Sequence, residues 1–188
     1  LLAISSPGFS FIIFSVLILL RCLQLDPADF LAQSVDVVLE LLEGCLRFRK
    51  PQRALDIGTG SGVLAIALAK ATKIPVMATD IDPVAVQVAR ENVRLNGTAG
   101  QVNCFVATGF QHRKFAKFGK ADLVLANILA GPLQRLAKPM RPHVQSGGRI
   151  ILSGLLPHQK ARIVAAYGQH GFKFQKAIIR DGWLSLLF

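Results

Sequence analysis

The sequence predicts an α/β fold: a mainly parallel seven-stranded sheet with an antiparallel last strand and helices on both faces. Three observations carry that expectation. Short apolar runs alternate with stretches of helical length from about residue 51 onward, the pattern that builds parallel sheets. The first run ends in Asp56-Ile57-Gly58-Thr59-Gly60-Ser61-Gly62 and passes at once into the apolar stretch Val63-Leu64-Ala65-Ile66-Ala67-Leu68-Ala69. Glycine suits such a strand-to-helix turn because it bends tightly and lets a ligand approach with no Cβ in the way. Finally, only Asp181-Gly182 separates the last two runs, which marks a hairpin and not a crossover.

Taken in order, a helix is expected over 27–46, with Phe30, Leu31, Val35, Val38, Leu39 and Leu42 on one apolar stripe. Strands follow over 53–57, 76–80, 102–107, 123–127, 149–153, 173–180 and 183–188. Helices are expected over 63–72, 83–96, 132–140 and 157–169. Asp82-Pro83 opens the second of these as cap and first-position proline. Asn96-Gly97 closes it with a left-handed C-cap. In such sheets ligands gather at the carboxyl ends of the strands.

At 188 residues the chain holds one domain with a real core, expected over 31–188, preceded by an apolar segment over 1–30. No charge occurs before Arg21, and residues 9–20 are strongly apolar. Twelve residues are short for a membrane span, and Pro7-Gly8 interrupts the longer uncharged stretch. A buried or interfacial segment is therefore favoured over membrane contact through residues 9–20. No basic region precedes it as in a signal peptide, and with no opening Met the sequence reads as a fragment. The formal charge is +11, which suits an RNA or ribonucleoprotein partner and equally a plain solvated basic surface. Arg47, Arg49, Lys50 and Arg53 form one local cluster, and Arg113, Lys114, Lys117 and Lys120 another. Cys22, Cys45 and Cys104 are odd in number and far apart; they suggest neither disulfides nor a metal site, which fits a reducing, cytoplasmic setting. His112, His143, His158 and His170 show no metal-ligand spacing either.

The glycine turn is not the dinucleotide fingerprint, because the sixth position counted from Gly58 is Val63, and no Gly-Lys-Ser/Thr follows as in a phosphate-binding Walker loop. On its own it reads equally as a tight strand–helix connection. A second run, Val76-Met77-Ala78-Thr79-Asp80, ends in a carboxylate about twenty residues on, where nucleotide-binding βαβ units place the acid that accepts from ribose hydroxyls. Asp80 fits that role; Asp82 fits a cap better. A third run, from Ala121 to Asn127, delivers Asn127 to the carboxyl edge.

The spacing G-x-G-x-G after an acid resembles the first motif of the Rossmann-like S-adenosylmethionine (SAM) methyltransferases. Asn127-Ile128-Leu129-Ala130-Gly131-Pro132-Leu133 resembles PrmA, the ribosomal protein L-eleven methyltransferase family. Asp80-Ile81-Asp82-Pro83, Leu152-Ser153-Gly154-Leu155-Leu156 and Asp181-Gly182-Trp183 agree with it. The resemblance covers residues 51–188. It implies a class I methyltransferase fold, SAM as cofactor, and methyl transfer to amines (lysine or N-terminus) of a ribosomal protein. It also implies cofactor contacts at Asp56, Gly58, Gly60, Gly62, Asp80, Ile81 and Asn127, with Asn127 as the catalytic residue. The family's Gly-Thr-Gly-x-His stretch is absent: Gln33-Ser34-Val35-Asp36-Val37 holds neither glycine nor threonine. That departure predicts a more open methionine end of the SAM site, weaker SAM binding, and turnover that is poor or absent.

Methyl transfer asks mainly for alignment, because the methyl on a sulfonium is already electrophilic. No His, Cys or Glu stands in the motifs as a base. The Asn127 amide oxygen, with the Ile128 and Leu129 carbonyls, is the expected acceptor for the N–H of an incoming amine. The alternative for Asn127 is contact with the cofactor alone. For the whole chain, the alternatives are another nitrogen acceptor (RNA base, glutamine amide, small amine) and an inactive SAM-binding remnant.

Overall fold

A computed structural model describes the backbone of residues 30–188, and the side chains from Val38 onward. Expectations for residues 1–29, the apolar segment 9–20 among them, lie outside the described residues. The elements run α1 (Phe30–Phe48), β1 (Ala54–Ile57), α2 (Val63–Thr72), β2 (Val76–Asp80), α3 (Pro83–Leu95), β3 (Val102–Val106) and α4 (Arg113–Phe118). They continue with β4 (Ala121–Asn127), α5 (Ala130–Met140), β5 (Val144–Leu155), α6 (Lys160–Gly168), β6 (Lys176–Arg180) and β7 (Trp183–Leu187).

The seven strands form one sheet in the order β3-β2-β1-β4-β5-β7-β6. Every pairing from β3 to β5 is parallel. β7 inserts between β5 and β6, antiparallel to both. Asp181 and Gly182, at the hairpin tip, have φ of 50° and 81°, as a type I′ turn requires. The last strand is thus the antiparallel one, as expected.

Both faces of the sheet are covered, so its central strands read as continuous apolar runs and not as alternation. All four residues of β1 are buried. Ala54 faces one core with Val38 and Leu42 of α1, Ile66 and Leu68 of α2 and Val86 of α3. Leu55 and Ile57 face the other, with Phe115 of α4, Leu133 and Met140 of α5, and Ile163 and Tyr167 of α6. The helices therefore form two layers, α1–α3 and α4–α6.

Departures from the sequence expectation have local causes. α4 shows in the sequence only as a basic cluster: it is six residues long and buries one side chain, Phe115, too few to show a period. His112 caps it, its Nδ1 accepting from the Lys114 N–H at 3.1 Å. β5 starts five residues early because the Gln145–Gly148 stretch bulges out between two registers on β4. A short 3₁₀ turn at Pro157–Gln159 precedes α6, and α5 begins two residues ahead of Pro132. Of the Asn96-Gly97 pair only Gly97 is left-handed, with φ 66°, while Asn96 keeps φ −89°. Among the described residues no helix is long and apolar enough to cross a membrane.

The second layer is locked by Tyr167, fully buried, whose hydroxyl donates to the Leu133 carbonyl at 3.1 Å. Burial pushes that phenol well above its usual range. Two substitutions gauge this layer by urea denaturation. Leu133→Ala, at 0% exposure, should cost about 2–5 kcal/mol as a core cavity. Tyr167→Phe should cost only about 1 kcal/mol, one net hydrogen bond.

Candidate active site

The turn after β1 is held from two sides by carboxylates. Asp56, at the third position of β1, is 1% exposed. Its Oδ2 accepts from the Thr59 hydroxyl at 2.6 Å and from the Ala65 N–H at 3.2 Å, so it caps α2 from beneath. That cap is needed because Gly62, at the helix start, is left-handed and has no side chain to offer. From the neighbouring strand, Asp80 Oδ2 accepts the Gly60 N–H at 2.9 Å, and its Oδ1 accepts the Asp82 N–H at 3.0 Å. The Thr79 carbonyl takes the N–H groups of both Gly58 and Thr59. Asn92 of α3 donates to the Ser61 carbonyl at 2.8 Å.

Gly58, Gly60 and Gly62 all have φ between 54° and 86°, the region glycine enters without penalty. Gly58 is pressed hardest by a neighbour: a Cβ there would stand 2.2 Å from Ile128 Cγ2, against 3.3 Å from Ala89 Cβ at Gly62 and nothing within 4 Å at Gly60. Gly154 plays the matching role on β5. It has φ +75°, and a Cβ would stand 2.8 Å from the Ile128 carbonyl oxygen and 3.1 Å from Asn127 Oδ1. It sits where the β5–β7 register shifts, a bulge that re-aims the backbone next to the site.

Above these turns lies a cavity of about 690 Å³, within the ~300–1,000 Å³ of small-molecule sites. Gly58 follows β1, Asp80 and Ile81 end β2, the 107–111 loop follows β3, Asn127 ends β4, and all border it, as do Gly154 and the α5 residues Pro132, Arg135, Leu136 and Pro139. Strand order reverses between β1 and β4, so this is the crevice at the switch point of the sheet.

The structure therefore brings Gly58, Asp80, Ile81 and Asn127 together around one cavity. Asp56, Gly60 and Gly62 stand behind it and shape the turn. Asp82 caps α3, its Oδ1 accepting the Val84 N–H at 2.8 Å. The Leu129 carbonyl closes the first turn of α5 with the Leu133 N–H. The 33–37 stretch is helical in its backbone; its side chains lie outside the described residues. Sequence reasoning missed the loop after β3, where Gly109 (φ +56°) leaves room for Leu136, and the cavity face of α5. The signal for the loop was its position alone, directly after the third parallel strand.

The residues fit an adenosine-bearing sulfonium. Ile81, 67% exposed, and the buried Phe110 line the cavity with apolar surface, and Asp80 lines it with a carboxylate. Asp56 Oδ1 is buried with no hydrogen-bond partner, a negative site beneath the turn.

The family described as "Ribosomal protein L11 methyltransferase (PrmA)" matches residues 33–188. The chain is 47% identical over 148 residues to the ribosomal protein L11 methyltransferase of Allorhizobium ampelinum, covering 79% of this chain and 51% of that one. It is 49% identical, with the same coverage, to that of Chelativorans sp.. The chain thus spans about half the length of the curated relatives it matches. Among solved structures, a ribosomal protein L11 methylase from Lactobacillus delbrueckii subsp. bulgaricus superposes with TM-score 0.75 and 31% identity, over 83% of this chain and 77% of that one. An RNA methyltransferase from Salinibacter ruber, in complex with S-adenosylhomocysteine, shares the fold with TM-score 0.62 at 19% identity, over 82% and 88%.

Two outcomes test the turn. Gly60→Ala meets only the strain of its φ, about 1–2 kcal/mol, whereas Gly58→Ala must also displace Ile128 and should cost roughly 2–5 kcal/mol in a urea titration. Burial first, and the nearby Asp80 charge last, push the Asp56 carboxyl from 3.8 to about 6, against the lowering by Thr59 and Ala65. The folded state therefore holds this proton more tightly than the unfolded one. Stability should fall as pH rises from about 4 to about 6, by up to ~3 kcal/mol. Asp56→Asn should flatten that segment of the stability–pH curve; an unchanged slope would contradict the assignment.

Proposed function

The chain belongs to the ribosomal protein L11 methyltransferase (PrmA) family, and we propose that it is the SAM-binding, methyl-transferring part of such an enzyme, acting in the cytoplasm on amino groups of a ribosomal protein. The observation that carries this reading is the cavity at the sheet's switch point, with a carboxylate at the β2 end and an amide at the β4 end.

SAM, when bound, supplies an electrophilic methyl on a sulfonium. Asp80 keeps its carboxylate at the wall, where each oxygen retains acceptor capacity for ribose hydroxyls beyond the loop N–H it already holds. Ile81 and Phe110 present apolar surface to the base. Gly58 keeps the wall flat. At the other end Asn127 offers an amide oxygen, and Ile128 a carbonyl, to the N–H groups of an amine, turning its lone pair inward. The apolar wall of Leu129, Pro132 and Leu136 excludes water, which disfavours a charged ammonium and lowers the amine pKa. No general base is required of the protein when the amine arrives neutral. The reading is tested by incubating the chain with methyl-labelled SAM and purified ribosomal proteins. Label in L11 supports it, label elsewhere redirects the acceptor, and no label removes the activity.

Asp80→Ala should weaken SAM binding by about 1.5–3 kcal/mol through lost charge-assisted hydrogen bonds, read by calorimetry. Asp82→Ala should leave that affinity intact and cost about 1 kcal/mol of stability as a lost cap. Equal SAM affinity for Asp80→Ala and the parent chain would contradict the ribose role. Asn127→Ala should lower the rate of transfer by more than it lowers SAM affinity.

A further inference from the structure

Charge is distributed very unevenly in this chain. Between Glu91 and Asp181 the sequence holds a single acid, Asp122, against fourteen of its 22 lysines and arginines. Asp122 lies at the start of β4, away from the cavity, and its carboxylate accepts the backbone N–H groups of Gln52 and Arg53 at 2.9 and 3.0 Å. The fold collects the α4, α5 and α6 part of this stretch on one side, whereas Arg94 lies on α3, and Arg149 and Arg180 reach α1. α4, α5 and α6 all bury their apolar residues in the same core, so their outer faces form one layer. The layer is continuous: the His143 ring stacks on Phe110 at 4.7 Å, Tyr167 of α6 bonds to Leu133 of α5, and the Arg141 guanidinium lies 5.5 Å over Phe172.

Arg113 and Lys117 of α4, Arg135 and Lys138 of α5, and Lys160 and Arg162 of α6 are exposed on it. Among the described residues the ion pairs Arg94–Glu91 and Arg180–Glu40 involve no side chain of this layer. Arg135 also borders the cavity, so the basic layer runs up to the mouth of the site.

We propose that the α4–α5–α6 face docks the phosphodiester backbone of RNA, bringing it alongside the cavity. A polynucleotide carries one charge per nucleotide and answers a band of cations spread over three helices. A bilayer would require apolar anchors, and none of the large exposed hydrophobic side chains lies on α4, α5 or α6. The choice of RNA over DNA rests on the ribosomal-protein reading above. The docking itself does not, since it needs neither SAM nor methyl transfer.

The test uses the full 188-residue chain and a labelled single-stranded RNA of about 20 nucleotides, followed by fluorescence anisotropy without SAM. With some four phosphates engaged, affinity should fall roughly fifty-fold between 50 and 200 mM salt. Lys117→Glu/Lys138→Glu/Arg162→Glu should weaken binding at least tenfold. Arg49→Glu/Lys50→Glu/Lys73→Glu, with the same change in net charge but off this face, should weaken it no more than threefold. Melting curves check both variants, and glutamine replaces glutamate if the first melts early. No binding at 50 mM salt, equal losses in the two variants, tenfold tighter binding of DNA of the same sequence, or tighter binding of anionic vesicles would each overturn the proposal. Failure here leaves the methyl-transfer reading standing, because that is read from label incorporation.

Discussion

Everything at the working edge of this protein depends on holding a backbone turn built from left-handed glycines between β1 and α2. Its three glycines bring no side chains with which to stabilise it. Two carboxylates from adjacent parallel strands do it instead: Asp56 from beneath, through Thr59 and Ala65, and Asp80 from the side, through Gly60. Both are acids at a strand's carboxyl end, but their surroundings separate them. Asp56 is sealed in the core and holds its proton to about pH 6. Asp80 is half-buried at the cavity wall with one hydrogen bond on each oxygen. One acid serves the turn, and the other serves the turn and remains available to a ligand.

The opposite wall repeats the device with packing in place of charge. Ile128, just past β4, wedges between Gly58 and Gly154, neither of which has room for a methyl group. Three strand ends are thereby drawn together, and Asn127 is carried to the cavity between them. The bulge on β5 that admits Gly154 and the glycine turn after β1 are thus parts of one fit. A substitution at either glycine acts on Asn127 through Ile128, with no contact to ligand needed.

Much of this was legible in the sequence because parallel sheets write themselves as alternating blocks. The apolar runs ending at Ile57, Asp80 and Asn127 marked three strand ends that do meet in space. Asp181-Gly182 marked the hairpin that makes β7 antiparallel. What was not legible depends on contacts between distant segments. Gly154 is required by the Ile128 backbone, which no local pattern reveals. The loop after β3 and the α5 face carry no motif; they become cavity walls only when the sheet assembles. Asp56 resembles a ligand residue in sequence, and the structure shows it buried and bonded to Thr59 and Ala65 of the turn and helix. α4 escaped notice because a helix of under two turns with one buried phenylalanine has no periodicity to detect. Its cations, read as a local cluster, turn out to belong to a wider layer once α5 and α6 pack beside it.

The most direct measurement of the central claim is a crystal structure of this chain grown with S-adenosylhomocysteine. The account predicts the ribose against Asp80, the base against Ile81, and the sulfur end toward Asn127, with the Gly60–Asp80 hydrogen bond kept. Ligand lodged elsewhere, or a turn that abandons Asp80 to make room, would contradict it.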